Sequence, residues 1–422
     1  MKKKVAVAMS GGVDSGVAAA LLVKQGYQCT GFYMRLWTEG QNSPAGQDLS
    51  SWGKAKIQNL ENKCCSTESL EAARKTAHRL GMPFYVIDFS SIFKKKVVDY
   101  FLKAYGDGLT PNPCVVCNRF VKFGELLKYV RGLGFDYLAT GHYARISAPI
   151  KKEKLKMKND NATFKIYHLL QAVDKQKDQS YFLYHLGQKQ LAHVLFPVGG
   201  YLKKEVVAMA KAWQLPVAHR PESQEICFFP ETDYRPFLQR QIPQRIIPGD
   251  VVDTEGRVIG KHFGLPLYTI GQRHGFNVNV KSQMSNVKSI PPYYVIGKDA
   301  KKNQLIVGFG KETERKEFWV KEVSWVDSNF KFQIPNSKLL VRLRHQGDLL
   351  KCKMKTEKLK TTIKNSKMSK SELVKVILDE PERGIAPGQA AVFYQKLKKE
   401  NDKLKINDYI VLGGGIIAVD KC

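Results

Sequence analysis

One short stretch near the amino terminus limits what this chain can fold into. Lys4-Val5-Ala6-Val7-Ala8-Met9 is an apolar run, and Val13 to Gln25 carries alanines, leucines and valines at helical spacing, with Gly26 just past its end. The first reads as a buried strand and the second as a helix closed by glycine. Ser10-Gly11-Gly12-Val13-Asp14-Ser15 therefore fills a strand-to-helix turn. Glycines there let the backbone approach a ligand, and the first turn of the helix offers unpaired N–H groups to an anion. The stretch is not a Walker A loop, because no Gly-Lys-Ser/Thr follows. A glycine-rich turn after a first strand also occurs without a ligand, but the intact Ser-Gly-Gly-x-Asp-Ser favours a phosphate site.

The following residues keep the same rhythm up to about residue 145. Thr30–Leu36, Phe84–Phe89 and Tyr137–Thr140 read as strands, and Ser69–Leu80 and Phe123–Leu133 as helices. This α/β alternation predicts a doubly wound parallel sheet. Ligands of such sheets bind at the carboxyl ends of the strands, where Ser10–Ser15 lies and Gly141-His142 is expected. Lys151–Lys158 has five lysines and one glutamate and reads as a solvated excursion. Lys203–Trp213 reads as a helix, and the proline-rich, polar Pro216–Gly249 starts a second, smaller domain. From Tyr293 onward short alternating runs appear: Tyr294–Ile296, Gln304–Val307, Phe318–Val320, Leu339–Arg344, Leu373–Leu378, Ala390–Tyr394 and Tyr409–Leu412. They suggest a small β-barrel. Within it, Lys351–Lys370 carries eight lysines and one glutamate and reads as an exposed hairpin. The expected division is a nucleotide-binding domain over 1–205, a central domain over 206–290 and a C-terminal β-barrel over 291–422.

With 68 Lys and Arg against 39 Asp and Glu, the formal net charge is +29. Such an excess points to a polyanionic partner, nucleic acid before membrane, since no basic amphipathic helix is evident. A lysine-biased proteome would explain the solvated lysine runs but not the motifs. No run reaches the roughly 20 apolar residues of a membrane span, and the apolar run behind Met1-Lys2-Lys3-Lys4 breaks at Ser10, unlike a leader. Eight cysteines in 422 residues are sparse, so a reducing cytoplasm is the expected location.

Three of those cysteines stand in polar, proline-rich surroundings. Thr110–Phe120 (TPNPCVVCNRF) places Cys114 and Cys117 in a Cys-x-x-Cys just before an expected helix, and Pro221–Phe229 (PESQEICFF) holds Cys227. A helix N-terminus favours thiolate. Structural zinc wants four ligands, and only three cysteines sit in motifs. An inert core role suits Cys29, Cys64, Cys65, Cys352 and Cys422. For Cys114, Cys117 and Cys227 the sharper reading is sulfur chemistry: a persulfide on one cysteine delivers sulfur, and another resolves it by thiol–disulfide exchange.

Ser10–Ser15, Thr110–Asn118, Ala139–Arg145 (ATGHYAR), Lys177–Leu183 (KDQSYFL), Glu222–Phe228 (ESQEICF), Thr269–Gly275 (TIGQRHG) and Pro387–Ala390 (PGQA) together resemble the bacterial tRNA-specific 2-thiouridylase family, in order and over nearly the whole chain. The first loop alone is shared with GMP synthetase, argininosuccinate synthetase and other pyrophosphatase-loop enzymes. The resemblance implies that Ala8, Met9, Ser10, Gly11, Gly12, Val13, Asp14 and Ser15 surround ATP, with Met34 near the adenine and Gly141 also on the nucleotide. It implies that ATP, with Mg²⁺, adenylates the C2 carbonyl oxygen of the wobble uridine, so that AMP becomes the leaving group. Cys117 matches the nucleophile and Cys227 the persulfide carrier, a pair that would pass through a disulfide bond. Asn112, Pro113 and Cys114 match positions that approach the base. His142, Lys177, Asp178 and Gln179 match the tRNA interface, joined in the barrel by Arg342, Arg344 and Gln389. Some members carry aspartate where this chain has Cys114. The three cysteines it thereby gains, Cys114, Cys117 and Cys227, could instead hold a [4Fe–4S] cluster with one open iron. The family implies as partners the wobble-uridine tRNAs for Lys, Glu and Gln and a sulfur donor such as a cysteine desulfurase or a sulfur-relay protein. A pyrophosphatase-loop ligase for a small molecule and a noncatalytic RNA-binding protein are the alternatives. Neither uses the cysteines.

Overall fold

In the computed structural model the described residues are 2–39, 66–147, 150–152, 164–222, 226–278, 292–327, 339–357, 373–397 and 408–418. They form two units, one from Met1–Val98, Pro113–Thr232 and Leu397–Val411, the other from Asp99–Asn112, Asp233–Lys396 and Leu412–Cys422.

The first unit is built on strand β1 (Lys4–Ala8), helix α1 (Val13–Lys24), strand β2 (Gln28–Arg35), helix α2 (Thr67–Arg79), strand β3 (Phe84–Asp88) and strand β4 (Tyr137–Ala139). With Val194–Leu195 the strands make a five-stranded sheet in the order β3, β2, β1, β4, Val194–Leu195, and all its pairs are parallel. β1 lies between β2 on one side and β4 on the other, with Val7 opposite both Gly31 and Ala139. The chain thus leaves β1 in one direction and returns on its other side. The carboxyl end of β1 is the switch point where such sheets open a crevice for ligands. Val5, Ala6 and Val7 are fully buried, as the apolar run requires for a strand covered on both faces.

Helix α1 is buried around most of its circumference. Its alanines leave room for the helix Lys203–Ala212, whose Val206 and Ala210 join Val17, Ala18 and Leu21 in one core cluster. That helix therefore belongs to the first unit, and so does the chain up to Thr232, past the expected limit at 205. Ala144–Ile146 and Leu169–Gln171 pair antiparallel, and Leu169 and Leu170 also pair with Val411 and Ile410. The lysine-rich excursion begins as Ile150–Lys152 paired with Phe164–Ile166, and residues 153–163 lie outside the described residues.

The second unit holds two sheets. Gly249–Val252, Val258–His262, Asn277–Val278, Tyr294–Asp299 and Gln304–Gly308 form one five-stranded sheet. The run at Gln304 pairs with the central segment, Asp250 facing Gln304, and the run at Tyr294 pairs with the run at Gln304, so neither joins the barrel as the alternation suggests. Alternation shows that a strand exists, not which sheet takes it. The barrel is a closed ring of six strands in which Glu314–Trp325 pairs with both Leu373–Arg383 and Tyr409–Ala418. Closure removes the open edges that so many short strands would otherwise present. Lys351 and its neighbours lie on the strand Leu350–Glu357, paired with Leu373–Arg383 as far as Glu357 and Leu373. Residues 358–372 lie outside the described residues. The helix Asp99–Gly106 is fixed in this unit by Tyr105 stacked on Tyr234, ring centroids 4.5 Å apart.

Candidate active site

The turn after β1 is braced from within. Ser15 Oγ donates to the Gly12 carbonyl at 3.0 Å, accepts from the Ser10 N–H at 3.2 Å and lies 3.3 Å from Ser10 Oγ. Gly11 has φ +76°, and a Cβ there would stand 2.1 Å from the Ser69 carbonyl oxygen, so only glycine fits. The N-cap of α1 is Gly12, which has no side chain to satisfy the first-turn N–H groups. Such N–H groups, with the positive end of the helix behind them, suit an anion. Asp14 is turned away from them. It accepts from the Tyr143 hydroxyl at 2.8 Å and from Lys203 Nζ at 2.6 and 2.8 Å. Burial first, and the Asp14 carboxylate second, raise the Tyr143 phenol far above its ordinary range, so it stays a donor.

A cleft of about 310 Å³ opens at this turn. Its walls include Ala8, Met9, Ser10, Asp14, Ser15, Met34 and Gly141 from the nucleotide candidates, and Pro113, Cys114, Cys117, His142, Gln179 and Cys227 from the reaction and RNA candidates. Residues more than 200 positions apart in the sequence thus line one cavity. Gly11, Gly12 and Val13 are not in the lining: Gly11 closes against Ser69 and Val13 is buried.

The cysteine loop departs from expectation in one respect. Helix begins at Pro113, not after Cys117, and runs through Pro113–Val116, a π-helical stretch Cys117–Leu126 and Leu127–Gly132. Proline suits the first helical position, where its missing N–H costs nothing. Cys114 is exposed in the first turn, whereas Cys117, 7% exposed, sits a full turn inside. Its place opens the π-helical stretch, a widened geometry that recurs at functional sites. Cys227 is half-buried, next to Phe228, which is anchored edge-on against Phe93. Ser223, Gln224 and Glu225 of the same motif lie outside the described residues, as do Cys64, Cys65 and Cys422.

His142 follows β4. Its Nδ1 lies 2.7 Å from Thr140 Oγ1, and its ring packs on Phe123 and Phe196. Burial, then the Lys122 charge, hold it well below the usual histidine range, so the imidazole is neutral at pH 7. Gln179 is fixed by accepting from the Tyr143 N–H at 3.0 Å. Asp178 is turned inward, 1% exposed, and accepts from Ala172 N–H, Ser180 N–H and Ser180 Oγ. Lys177 is paired with Glu222 at 2.8 Å. The sequence alone did not single out Tyr143, Lys203, Glu222, Lys122 or Asn118 in roles of their own. Asn118 stood inside the cysteine motif. It is 3% exposed in the cleft wall, and its Nδ2 donates to the Phe182 carbonyl at 3.3 Å.

The remaining candidates lie in the second unit. Asn112 Nδ2 donates to Gln389 Oε1 at 3.4 Å, and the Thr110 N–H donates to the Pro387 carbonyl at 2.8 Å. Gly388, φ +96°, would bring a Cβ within 2.9 Å of Thr110 backbone atoms, so the PGQA turn closes on the TPN segment. Arg342 lies over the Tyr394 ring, 5.3 Å from its centroid, and Arg344 bonds Glu382 and the Arg383 carbonyl.

Comparison with known proteins bears on this arrangement. Three family models match in order: a tRNA methyl transferase HUP domain over residues 3–231, a tRNA methyl transferase PRC-barrel domain over 235–309 and an aminomethyltransferase beta-barrel domain over 315–417. The tRNA-specific 2-thiouridylase MnmA of Chloroflexus aurantiacus is 42% identical over 414 residues, covering 98% of each chain. That of Roseiflexus castenholzii is 40% identical over 422 residues, 99% of this chain and all of the relative. The chain belongs to the tRNA-specific 2-thiouridylase family. The enzyme of that name in Acetivibrio thermocellus is 38% identical over 416 residues, 99% of each chain. The parallel sheet and the closed barrel are those that the alternation of the sequence predicts.

Donor chemistry separates two options for the thiouridylase cysteines. Cys114, Cys117 and Cys227 share the cleft, yet among the described residues no three His, Cys, Asp or Glu side chains are gathered as metal ligands. The three thiols do not fit as a ready cluster-binding set, and no step is assigned to an iron–sulfur centre. Nor is any helix of the described residues long and apolar enough to cross a membrane.

Proposed function

We propose that this protein is a tRNA-uridine 2-sulfurtransferase, acting with ATP on the wobble uridine. The carrying observation is the single cleft that joins the Ser10–Ser15 turn to Cys117 and Cys227. ATP belongs at the turn, with its phosphates on the first-turn N–H groups of α1 and its base toward Met34 and Gly141. Mg²⁺ enters with those phosphates and offsets their charge. A uracil C2 oxygen is a poor leaving group. Adenylation releases pyrophosphate and makes that oxygen leave as part of AMP.

Sulfur arrives as a persulfide on Cys227. Its terminal sulfur attacks C2, the C2–O bond breaks and AMP departs. The Cys117 thiolate then attacks Cys227 Sγ. The S–S bond to the base breaks, a Cys117–Cys227 disulfide forms, and the electron pair stays with the sulfur on C2 as a thiocarbonyl. An external dithiol restores both thiols. The neutral His142 and the fixed Gln179 shape the wall where the base enters. Asn112, Pro113 and Cys114 approach the base, and Asp178 contributes by tying the turn that presents Lys177 and Gln179. Arg342, Arg344 and Gln389 offer the barrel's contacts to RNA, with Arg able to fork onto phosphate. The net charge of +29 supports a polyanionic substrate. Tyrosine and lysine caps on Asp14 and a cysteine pair in one cleft favour this reading over methyl transfer, the activity named in two of the family-model descriptions.

The test is direct. Protein, ATP, Mg²⁺, a persulfide-generating cysteine desulfurase and tRNAs for Lys, Glu and Gln are incubated, and nucleosides are read by mass spectrometry. ATP-dependent 2-thiouridine is expected. Its absence with folded protein, or ATP cleavage driven instead by a small molecule, defeats the assignment.

A further inference from the structure

Two lysines and two carboxylates tie the nucleotide turn to the segment that carries Cys227. Lys203 Nζ donates to both oxygens of Asp14, at 2.6 and 2.8 Å, and stands 3.6 Å from Glu222 Oε1. The other Glu222 oxygen accepts from Lys177 Nζ at 2.8 Å. Lys203 is placed by its helix. Val206 and Ala210 hold that helix on α1, Asp174 Oδ2 accepts the Lys203 N–H at 2.9 Å, and Glu205 caps the Leu202 N–H. The Lys203 side chain is only 17% exposed and that of Glu222 33%, so solvent screens them less than a surface pair. Burial alone would raise the Glu222 carboxyl, but Lys177 and Lys203 outweigh it and hold it below the usual range. Two carboxylate and two ammonium side chains thus meet in one set.

Nucleotide phosphates at the α1 N-terminus upset that set. They bring negative charge beside Asp14, and Lys203 is the ammonium already bonded there. Whatever share of Lys203 they take is withdrawn from Glu222. Glu222 lies five residues before Cys227, and Phe228 on the far side is fixed in the core, 1% exposed. We infer that Lys203 is a positioning residue: it transmits occupancy of the Ser10–Ser15 turn to Glu222 and so sets the reactivity of Cys227 according to whether nucleotide is bound. This rests on the reading that ATP fills the turn and that Cys227 carries the sulfur. It goes further in making sulfur delivery wait for the nucleotide.

The test measures the rate at which iodoacetamide alkylates Cys227, by peptide mass spectrometry, with and without ATP and Mg²⁺. In the native protein ATP should change that rate by about fivefold or more, the size of an ordinary coupling between sites. Glu222→Gln should bind ATP with native affinity yet lose the change. Lys203→Met should lose it too, and Lys203→Arg should restore part of it. In a single turnover with tRNA, Glu222→Gln should release pyrophosphate at the native rate while AMP and thiouridine both fall about tenfold, the signature of a lost coupling and not of a lost fold. A Glu222→Gln protein whose Cys227 still responds to ATP, or which loses pyrophosphate release and thiolation equally, overturns the inference. The two readings fail separately. A native protein whose Cys227 responds to ATP but which forms no thiouridine loses the enzyme assignment alone. One that thiolates tRNA with Cys227 indifferent to ATP loses the coupling alone.

Discussion

Gly141 faces Ser15 so closely that a Cβ on it would stand 2.7 Å from the Ser15 nitrogen and 2.8 Å from the Asp14 carbonyl carbon. The end of β4 is pressed against the first turn of α1, and neither side is a flexible side-chain tip that could give way. Gly141→Ala should force the two apart beside the turn proposed to hold the nucleotide. A displacement of this kind in a positioned site costs up to about a hundredfold, so the Kd for ATP should rise at least about tenfold. Calorimetric titration with ATP, alongside thermal melting, separates this from general loss of fold. An unchanged Kd would mean that the nucleotide binds elsewhere.

Cys117 and Cys227 line the same cleft in different environments, one buried at the start of a π-helical stretch and one half-buried. Cys227→Ser should abolish both persulfide loading and thiolation. Cys117→Ser should still load sulfur on Cys227 but fail to release it as a thiocarbonyl, so that a protein–tRNA adduct accumulates. Both should retain tRNA-dependent pyrophosphate release, and Cys117→Ser alone should also release AMP. Intact-protein mass spectrometry after incubation with the desulfurase reads the added sulfur atom, and denaturing gels read the adduct. Loading that survives Cys227→Ser would move the carrier role to another cysteine.

Much of this was legible before any coordinates. Ser10–Ser15 announced its turn, because glycines between an apolar strand and an alanine-rich helix leave few alternatives. Cys117 and Cys227 stood out because their neighbours were polar or proline. What the sequence hid was tertiary. Lys203 reads as one more lysine at a helix start, and only packing of Val206 and Ala210 on α1 brings it to Asp14. Tyr143 sits in the ATGHYAR run, but its bond to Asp14 spans 129 positions. The runs at Tyr294 and Gln304 alternate like barrel strands, yet Gln304–Gly308 pairs with Gly249–Val252, a strand of four residues too short to show an alternation of its own. Pro113 reads as a loop former in the sequence, yet it occupies the first helical position, so the cysteine helix starts earlier than the sequence predicts.

Asp178 carries a prediction about stability. Its carboxylate accepts from the Ala172 N–H at 3.0 Å, the Ser180 N–H at 3.2 Å and the Ser180 hydroxyl at 3.0 Å, with 1% of the residue exposed. Asp178→Ala would leave two buried N–H groups without an acceptor, a loss of about 3 kcal/mol. Thermal melting should show the drop. Well below the melting temperature, filter binding should show tRNA affinity close to native, since the carboxylate is spent inside the turn. Weak tRNA binding by a fully folded Asp178→Ala protein would point to direct contact with RNA.

Lys298 makes stability depend on pH. It lies on the strand Tyr294–Asp299, and its Nζ is buried with no hydrogen-bond partner among the described residues. Burial pushes the ammonium down from 10.5 to about 7. Between those values the unfolded chain holds a proton that the folded chain does not, so stability rises with pH across the window. The penalty is absent above the unfolded value and fully present once pH falls below about 7. Lys298→Met, of similar length and without charge, should therefore stabilise the second unit most at pH 6.5, by about 1–3 kcal/mol. The gain should shrink steadily toward pH 10, because losing the proton on folding costs less the nearer the pH lies to 10.5. Calorimetric unfolding of both proteins at several pH values between those limits gives the comparison. A Lys298→Met protein less stable than the native one at every pH would show that the amine holds a partner worth more than its burial costs.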